Sequence, residues 1–203
     1  NQYSKVKKKL NKSLAEALFS ERVLLIEGPS EQALFERVLS DIRPNYELEG
    51  GFLLMVNGIA FKKYIDVLST LGINYYVKTD NDLKAKKKSS MHDLIGLNRC
   101  LNIVGKESKP PIEITFEEKI TKNEKKQRLN EKKQEINNQY ADLILLLKNK
   151  GIYLSSIDLE HDLYEALGKR MEEILDTTDP VNYLQNKKLY NMVEFIESMD
   201  EQD

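Results

Sequence analysis

Short apolar runs alternate along the chain with segments whose apolar residues recur at helical spacing. The runs lack polar alternation, which is typical of strands covered on both faces. The segments at 30–42 and 59–72, SEQALFERVLSDI and IAFKKYIDVLSTLG, have the three- and four-residue spacing of amphipathic helices. Strand and helix in alternation predict an α/β fold with a central, mostly parallel four-stranded sheet flanked by helices. The predicted strands are VLLIE at 23–27, GFLLMV at 51–56, INYYVKTD at 73–80 and GIYL from residue 151.

Other segments predict helices around this core. Residues 1–20 predict an N-terminal helix, and residues 21–203 are expected to form one domain. A helix is predicted from about Ser90 to Val104. An insertion follows at about 106–150, with one long helix whose charged first half projects into water and whose second half packs on the sheet. A last helix is predicted from Pro180, at its first turn, through Met199.

Composition limits the class of protein. The 203 residues are 40% hydrophobic and 32% charged, as in a globular domain, and the longest apolar runs are too short to cross a bilayer. Cys100 is the single cysteine and lies in an apolar helical pattern, so we expect a buried thiol and a reducing, cytoplasmic setting. The formal net charge of −2 offers no general attraction for nucleic acid, so any such contact must use local patches.

Acidic residues follow three of the predicted strands. The carboxyl ends of parallel strands lie at one edge of a sheet, where ligands bind, so we expect these side chains to approach one another there. Clustered carboxylates repel unless a cation lies among them, and Mg²⁺ or Mn²⁺ prefers oxygen ligands. Each segment alone also fits an ordinary turn or helix start, which Asp and Glu favour. The residues concerned are Glu27, Glu31, Asp80, Asp82, Asp158 and Glu160.

Basic and histidine residues add weaker candidates. LKAKKKSS at 83–90 directly follows the third-strand aspartates and fits either a DNA-backbone contact or a solvated loop. Its lysines are Lys84, Lys86, Lys87 and Lys88. The charge run of the insertion is more typical of a solvated helix face than of a nucleic-acid arm. His92 and His161 fall in predicted helices without a partnered nucleophile, and we interpret His161 as a surface residue.

The motifs EGPSE at 27–31 and TDND at 79–82, separated by an apolar strand and a helix, resemble the Toprim domain. Over roughly residues 20–190 the chain is most similar to the OLD (overcoming lysogenization defect) family of nucleases, and in spacing to its Gabija antiviral group. The D-x-E of Asp158 and Glu160 resembles an acidic motif that follows a helical insertion in that family. In combination, though not singly, these motifs are specific.

This resemblance implies a divalent-metal-dependent endodeoxyribonuclease that hydrolyses phosphodiester bonds. It implies that the six acidic residues hold one or two Mg²⁺ or Mn²⁺ ions, and that Glu27, Asp80, Asp158 and Glu160 act in catalysis. A lysine of the last helix is expected to assist at the scissile phosphate, and Lys188 is preferred while Lys187 stays open. Family members often carry serine where this chain has Asp158, so direct metal ligation by Asp158 is also left open.

The resemblance also implies partners. The chain begins at Asn1, so we expect a fragment whose parent carries an ATPase domain upstream. VGKES at 104–108 does not supply one, because the serine and glycine positions of a phosphate-binding loop are occupied by Glu107 and Cys100. DNA, a helicase-like partner subunit and a homo-oligomeric parent are expected, and no membrane. The alternatives are a catalytically silent assembly or nucleic-acid-binding module and another Toprim activity, of the topoisomerase or primase kind.

Overall fold

A computed structural model describes residues 12–58, 60–117 and 119–199. The chain divides into two compact units. The first runs through Val77 and resumes at Glu172, and the second comprises Lys78–Met171. Of the predicted N-terminal helix, the part before Lys12 lies outside the described residues.

The first unit contains the strands that the apolar runs predict. Strand β1 pairs in parallel with β2, where Val23 aligns with Phe52, and with β3, where Leu25 aligns with Val77. Val23, Leu25 and Leu54 are fully buried, because helices cover the sheet on both faces. The elements in chain order are α1 Lys12–Ala17, β1 Arg22–Ile26, α2 Pro29–Ile42, β2 Gly51–Met55, α3 Phe61–Thr70 and β3 Asn74–Thr79.

The second unit begins within β3, at Lys78, and contains a smaller sheet. The large sheet has four strands in the order β2-β1-β3-β7, and three short antiparallel strands form a second sheet in the order β4-β5-β6. The α/β prediction with a four-stranded central sheet is therefore confirmed. The further elements are β4 Leu83–Ala85, β5 Met91–Leu94, α4 Ile95–Ile103, β6 Ile112–Glu113, α5 Lys122–Gln139, α6 Ala141–Lys148, β7 Ile152–Leu154 and α7 Leu159–Leu167.

The smaller sheet corrects the prediction of a helix from Ser90. Residues Met91–Leu94 form β5, in which His92 and Leu94 are buried and their neighbours are half-buried. This alternation has the period of a strand, and pairing with β4 and β6 satisfies the backbone. The helix therefore starts only at Ile95, and His92 lies in a strand. The buried thiol of Cys100, on α4, is confirmed.

The insertion forms two helices where one was predicted. Helix α5 starts with a reciprocal capping box between Thr121 and Glu124 and ends at Tyr140, whose backbone (φ −109°, ψ 24°) leaves the helical region before α6 begins. Ile136 of α5 and Leu147 of α6 are buried, and α6 packs against β7. The charged first half of α5 is largely exposed, as predicted.

The C-terminal region is likewise more divided than its pattern predicts. Helix α8 spans Lys169–Leu175, α9 Pro180–Gln185 and α10 Lys188–Ser198. The predicted continuous helix from Pro180 is wrong, since Lys187 adopts a left-handed backbone with φ 46° between α9 and α10. Helix α10 packs on α2, where Arg37 donates to the carbonyl of Ile196 over 3.2 Å.

None of the helices within residues 12–58, 60–117 and 119–199 combines the length and the apolar character that a bilayer span requires.

Candidate functional site

The first unit places Glu27 and Glu31 on either side of one turn. Glu27 follows β1, and its carbonyl accepts from Gly58 N over 3.0 Å, which fixes the turn. Glu31 lies in the first turn of α2. Gly28 between them has an extended backbone (φ −149°), and a Cβ there would approach Glu31 Oε2 to 3.2 Å. A side chain at position 28 would therefore require only a small shift of the Glu31 carboxylate.

In the second unit Asp80 joins the end of β3 to the start of α7. Its Oδ1 accepts from Leu159 N over 3.0 Å and from Ser155 Oγ over 3.2 Å. A carboxylate at a helix N-terminus is stabilised by the amide donors and by the helix dipole. The sequence pattern placed Asp80 at a strand end, and the structure adds that it is oriented by Ser155 after β7 and by Leu159 at the start of α7, next to Asp158 and Glu160.

Asp82 forms an ion pair that the sequence analysis missed. Its Oδ2 lies 3.0 Å from a guanidinium nitrogen of Arg99, whose side chain is only 7% exposed. Arg99 also donates to the hydroxyl of Thr79. A cation in an otherwise apolar helix pattern, LNRCLNIV, was the available signal for such a partner. Asp82 thus neutralises a buried arginine, a role that competes with metal ligation.

Asp158 is the N-cap of α7 and the partner of His161. Its Oδ1 accepts from His161 N over 3.0 Å and lies 2.5 Å from His161 Nδ1. Burial alone would raise the pKa of Asp158, but the His161 contacts and the charge of Lys133 outweigh it and lower the pKa to about 2. The interpretation of His161 as a surface residue is therefore wrong. Glu160 lies beside this pair in the first turn of α7 and is 1% exposed.

Asn81, between the two aspartates of TDND, links three segments of the second unit. It is fully buried, and its Nδ2 donates to the carbonyls of Lys133 on α5 and Ser156 before α7. Its backbone N–H donates to Ile157 O over 3.2 Å, and Lys133 Nζ reaches the same carbonyl. Asn81 has no sequence signal for this role, because asparagine in such a motif is typical of a turn.

The candidate DNA-contacting lysines lie on a hairpin rather than a loop. Lys84 belongs to β4, and the turn after it carries the other three lysines, all exposed, with Lys88 in a left-handed conformation at φ 55°. Lys86 Nζ lies 3.4 Å from Asp93 Oδ1 on the returning strand. In the first unit, Lys187 forms the left-handed break before α10 and Lys188 is the exposed first residue of that helix.

The donor chemistry of this set suits a hard divalent cation, since all six predicted ligands offer carboxylate oxygens. Across the part of the chain that the structure describes, however, no three His, Cys, Asp or Glu side chains stand grouped to hold a metal ion. Asp82 and Asp158 are instead engaged with Arg99 and His161. We therefore expect metal binding to require movement of side chains, and the ligand set stays a prediction.

The chain is similar to known proteins over the strands and turns that carry the acidic residues. The family model described as "Overcoming lysogenization defect protein-like, TOPRIM domain" matches residues 18–82, from before β1 through the TDND motif. This part of the chain is similar to an OLD-like Toprim domain. It is also 54% identical over 202 residues to Endonuclease GajA of Bacillus cereus (strain VD045), a match that covers 99% of this chain. The chain spans only 35% of that relative's length.

Solved structures share the Toprim fold found here. The C-terminal region of the Burkholderia pseudomallei OLD protein matches with a TM-score of 0.50 and 16% identity, over 89% of this chain and 84% of that one. The C-terminal region of the Xanthomonas campestris pv. campestris OLD protein matches with a TM-score of 0.50 and 18% identity, over 91% of this chain and 88% of that one. At such low identity these similarities show the fold alone.

Proposed function

We propose that this OLD-like Toprim domain is the nuclease domain of a metal-dependent DNA endonuclease of the OLD and Gabija kind. The observation that carries the proposal is the 54% identity, over nearly the whole chain, to a protein named Endonuclease GajA. The acidic residues that the Toprim resemblance selects are present, and Asp80 is held by hydrogen bonds. The substrate is DNA, and the chain acts together with an ATPase domain of the same parent protein.

We propose Glu27 and Glu31 as the metal ligands of the first unit, and Asp80 and Glu160 as those of the second. Mg²⁺ or Mn²⁺ bound there would lower the pKa of a water and stabilise charge on the leaving oxygen. Lys188 adds positive charge for the phosphoryl oxygens. Asp82 pairs with Arg99 and Asp158 with His161, so metal ligation by Asp82 or Asp158 would compete with that contact. The hairpin lysines Lys84 and Lys86–Lys88 are proposed to contact the DNA backbone.

A nicking assay on the full-length protein tests this function. Supercoiled plasmid is incubated with Mg²⁺ or Mn²⁺ and the native protein, Glu27→Ala or Asp80→Ala, and Asp66→Ala serves as control. Asp66 lies on α3, exposed and paired with Lys62. We expect both site variants to lose more than about a hundredfold in rate, the upper end for residues around a metal, while Asp66→Ala retains activity.

Two outcomes would contradict the proposal. Metal-dependent nicking that survives in both site variants would remove these residues from the site. Metal binding without cleavage by the intact protein would favour a catalytically silent assembly module. That second function has its own support, because Arg99 and His161 hold two of the acidic residues in the structure.

A further inference from the structure

A lysine within an apolar strand marks a network that the acidic motifs do not explain. Lys78 lies on β3, two residues before Asp80, and its side chain is 16% exposed. Its Nζ lies 2.5 Å from Asp162 Oδ2 on α7 and donates to Ser155 Oγ over 2.8 Å. Ser155, after β7, is 1% exposed. A nearly buried ammonium requires such partners, so the position of Lys78 is determined by the second unit.

The hydrogen bonds of this network run from Lys78 through Ser155 to Asp80. Lysine has three donors and no acceptor, so the contact with Lys78 uses Ser155 Oγ as an acceptor. The single hydroxyl hydrogen of Ser155 is then available for Asp80 Oδ1, 3.2 Å away. If Lys78 were absent, the hydroxyl could rotate and accept from water instead. Lys78 thus determines that Ser155 donates to Asp80.

The second arm of the network secures the start of α7. Asp162 Oδ1 accepts from both the backbone N–H and the hydroxyl of Ser156, each over 3.1 Å. Lys78 holds the other oxygen of Asp162. The loop between β7 and α7 is therefore fixed at both ends, and this loop presents Leu159 N, the second donor to Asp80. Both hydrogen bonds to Asp80 Oδ1 thus depend on Lys78.

We propose that Lys78 is a positioning residue for Asp80, acting through Ser155 and through the loop held by Asp162. This role rests on the proposed function, in which Asp80 binds the divalent metal. It predicts that loss of Lys78 weakens metal binding and loosens the loop, because Asp80 loses the donors that orient it. An ion pair that only stabilised the fold would lower stability without changing the affinity of the folded protein for metal.

The test compares Lys78→Met, Ser155→Ala and their double variant with the native full-length protein. Mn²⁺ affinity is measured directly by calorimetry, and the half-saturating metal concentration is measured in the nicking assay. We expect each single variant to lower the Mn²⁺ affinity and to raise the half-saturating metal concentration about tenfold, the low end for residues that orient metal ligands. The double variant should bind Mn²⁺ as tightly as Lys78→Met alone, because both changes break the same chain of hydrogen bonds. Lys78→Arg, which keeps the charge, should recover part of the affinity.

A metal-free readout separates this role from activity. Hydrogen exchange of the peptide around Leu159 should accelerate in Lys78→Met, because its amide loses an ordered acceptor. Lys62→Met is the matched control, since Lys62 pairs with Asp66 on an exposed helix face, 3.4 Å away. It should change neither the Mn²⁺ affinity nor the hydrogen exchange around Leu159. If Lys78→Met does not fold, Ser155→Ala carries the same prediction.

The outcomes distinguish this inference from the proposed function. Unchanged Mn²⁺ affinity and unchanged exchange at Leu159, with cleavage intact in the native protein, would overturn the role of Lys78 alone. A native protein that neither binds the metal nor cleaves DNA would overturn the proposed function and this role with it. Additive effects in the double variant would show that Lys78 and Ser155 act separately, and would also overturn the proposal.

Discussion

Gly96→Ala should destabilise this protein, although alanine is ordinarily the better residue within a helix. Gly96 lies in the first turn of α4 and faces the turn that carries Asp80 and Asp82. A Cβ built there would stand 2.2 Å from Asp80 O, 2.6 Å from Asp82 N and 2.8 Å from Asn81 Cα. All three are backbone or Cα atoms, so no change of rotamer relieves the contact. Gly96 N also donates to Asp82 O over 3.0 Å, which ties the helix to the same turn.

The magnitude follows from two opposing terms. Replacing glycine by alanine within a helix contributes about 1 kcal/mol of stability. Carbon atoms in contact prefer a separation of about 3.5 Å or more, so the helix and the turn must part by about 1 Å. Overpacking of this kind costs about 3 kcal/mol when neither side yields easily. The net expectation is a loss of about 2 kcal/mol, together with displacement of the turn that carries Asp80.

Urea unfolding measures the stability change, and Mn²⁺ calorimetry reports on the turn. Asn102→Ala is the control, because Asn102 is an exposed residue of the same helix. It should leave metal affinity unchanged and raise stability by no more than about 0.5 kcal/mol. A Gly96→Ala protein as stable as the native one, with the same metal affinity, would refute the close approach between α4 and the acidic turn.

Two further changes test individual contacts by urea unfolding. The native pKa of Asp158 is about 2 against an ordinary value of 3.8, so its stabilisation is complete above pH 3.8 and is lost as the pH falls through 2. Asp158→Asn should therefore cost at most ~2 kcal/mol at pH 6, and the difference from the native protein should shrink toward pH 2; a gap independent of pH would contradict the His161 pairing. Asn81→Ala removes the side-chain donor shared by the carbonyls of Lys133 and Ser156, so we expect a loss of about 2–4 kcal/mol. A loss below about 1 kcal/mol would show that Asn81 does not hold these segments together.

The strands of the large sheet could be predicted from sequence because burial on both faces leaves a local pattern. VLLI, GFLLM and NYYV each lie where the apolar runs place them. Where the apolar pattern fits either a helix or a strand, pairing with other strands decides which of the two forms. Met91–Leu94 continues smoothly into an apolar helix in the sequence, yet it forms β5 because β4 and β6 flank it. The break at Lys187 had no signal, since lysine does not favour a left-handed backbone.

The roles of the individual acidic residues were decided by the tertiary structure. The sequence placed Asp80, Asp82, Asp158 and Glu160 near strand ends, and in that setting all four looked equivalent. The fold pairs Asp82 with a buried arginine and Asp158 with a histidine, and it directs Ser155 Oγ and Leu159 N to Asp80. The donors to Asp80 lie 75 and 79 residues away in the chain, so no local pattern could assign them. His161 lies only three residues from Asp158, so that pairing follows from the spacing of one helix start.

The sequence by itself therefore determined the fold class and the set of acidic residues, because periodicity and residue type are local properties. Only the tertiary structure decided that Asp82 pairs with the buried Arg99 and that Ser155 and Leu159 donate to Asp80. The physical reason is that the electrostatic environment of a side chain depends on distances in space, and these are set by packing between segments far apart in the chain.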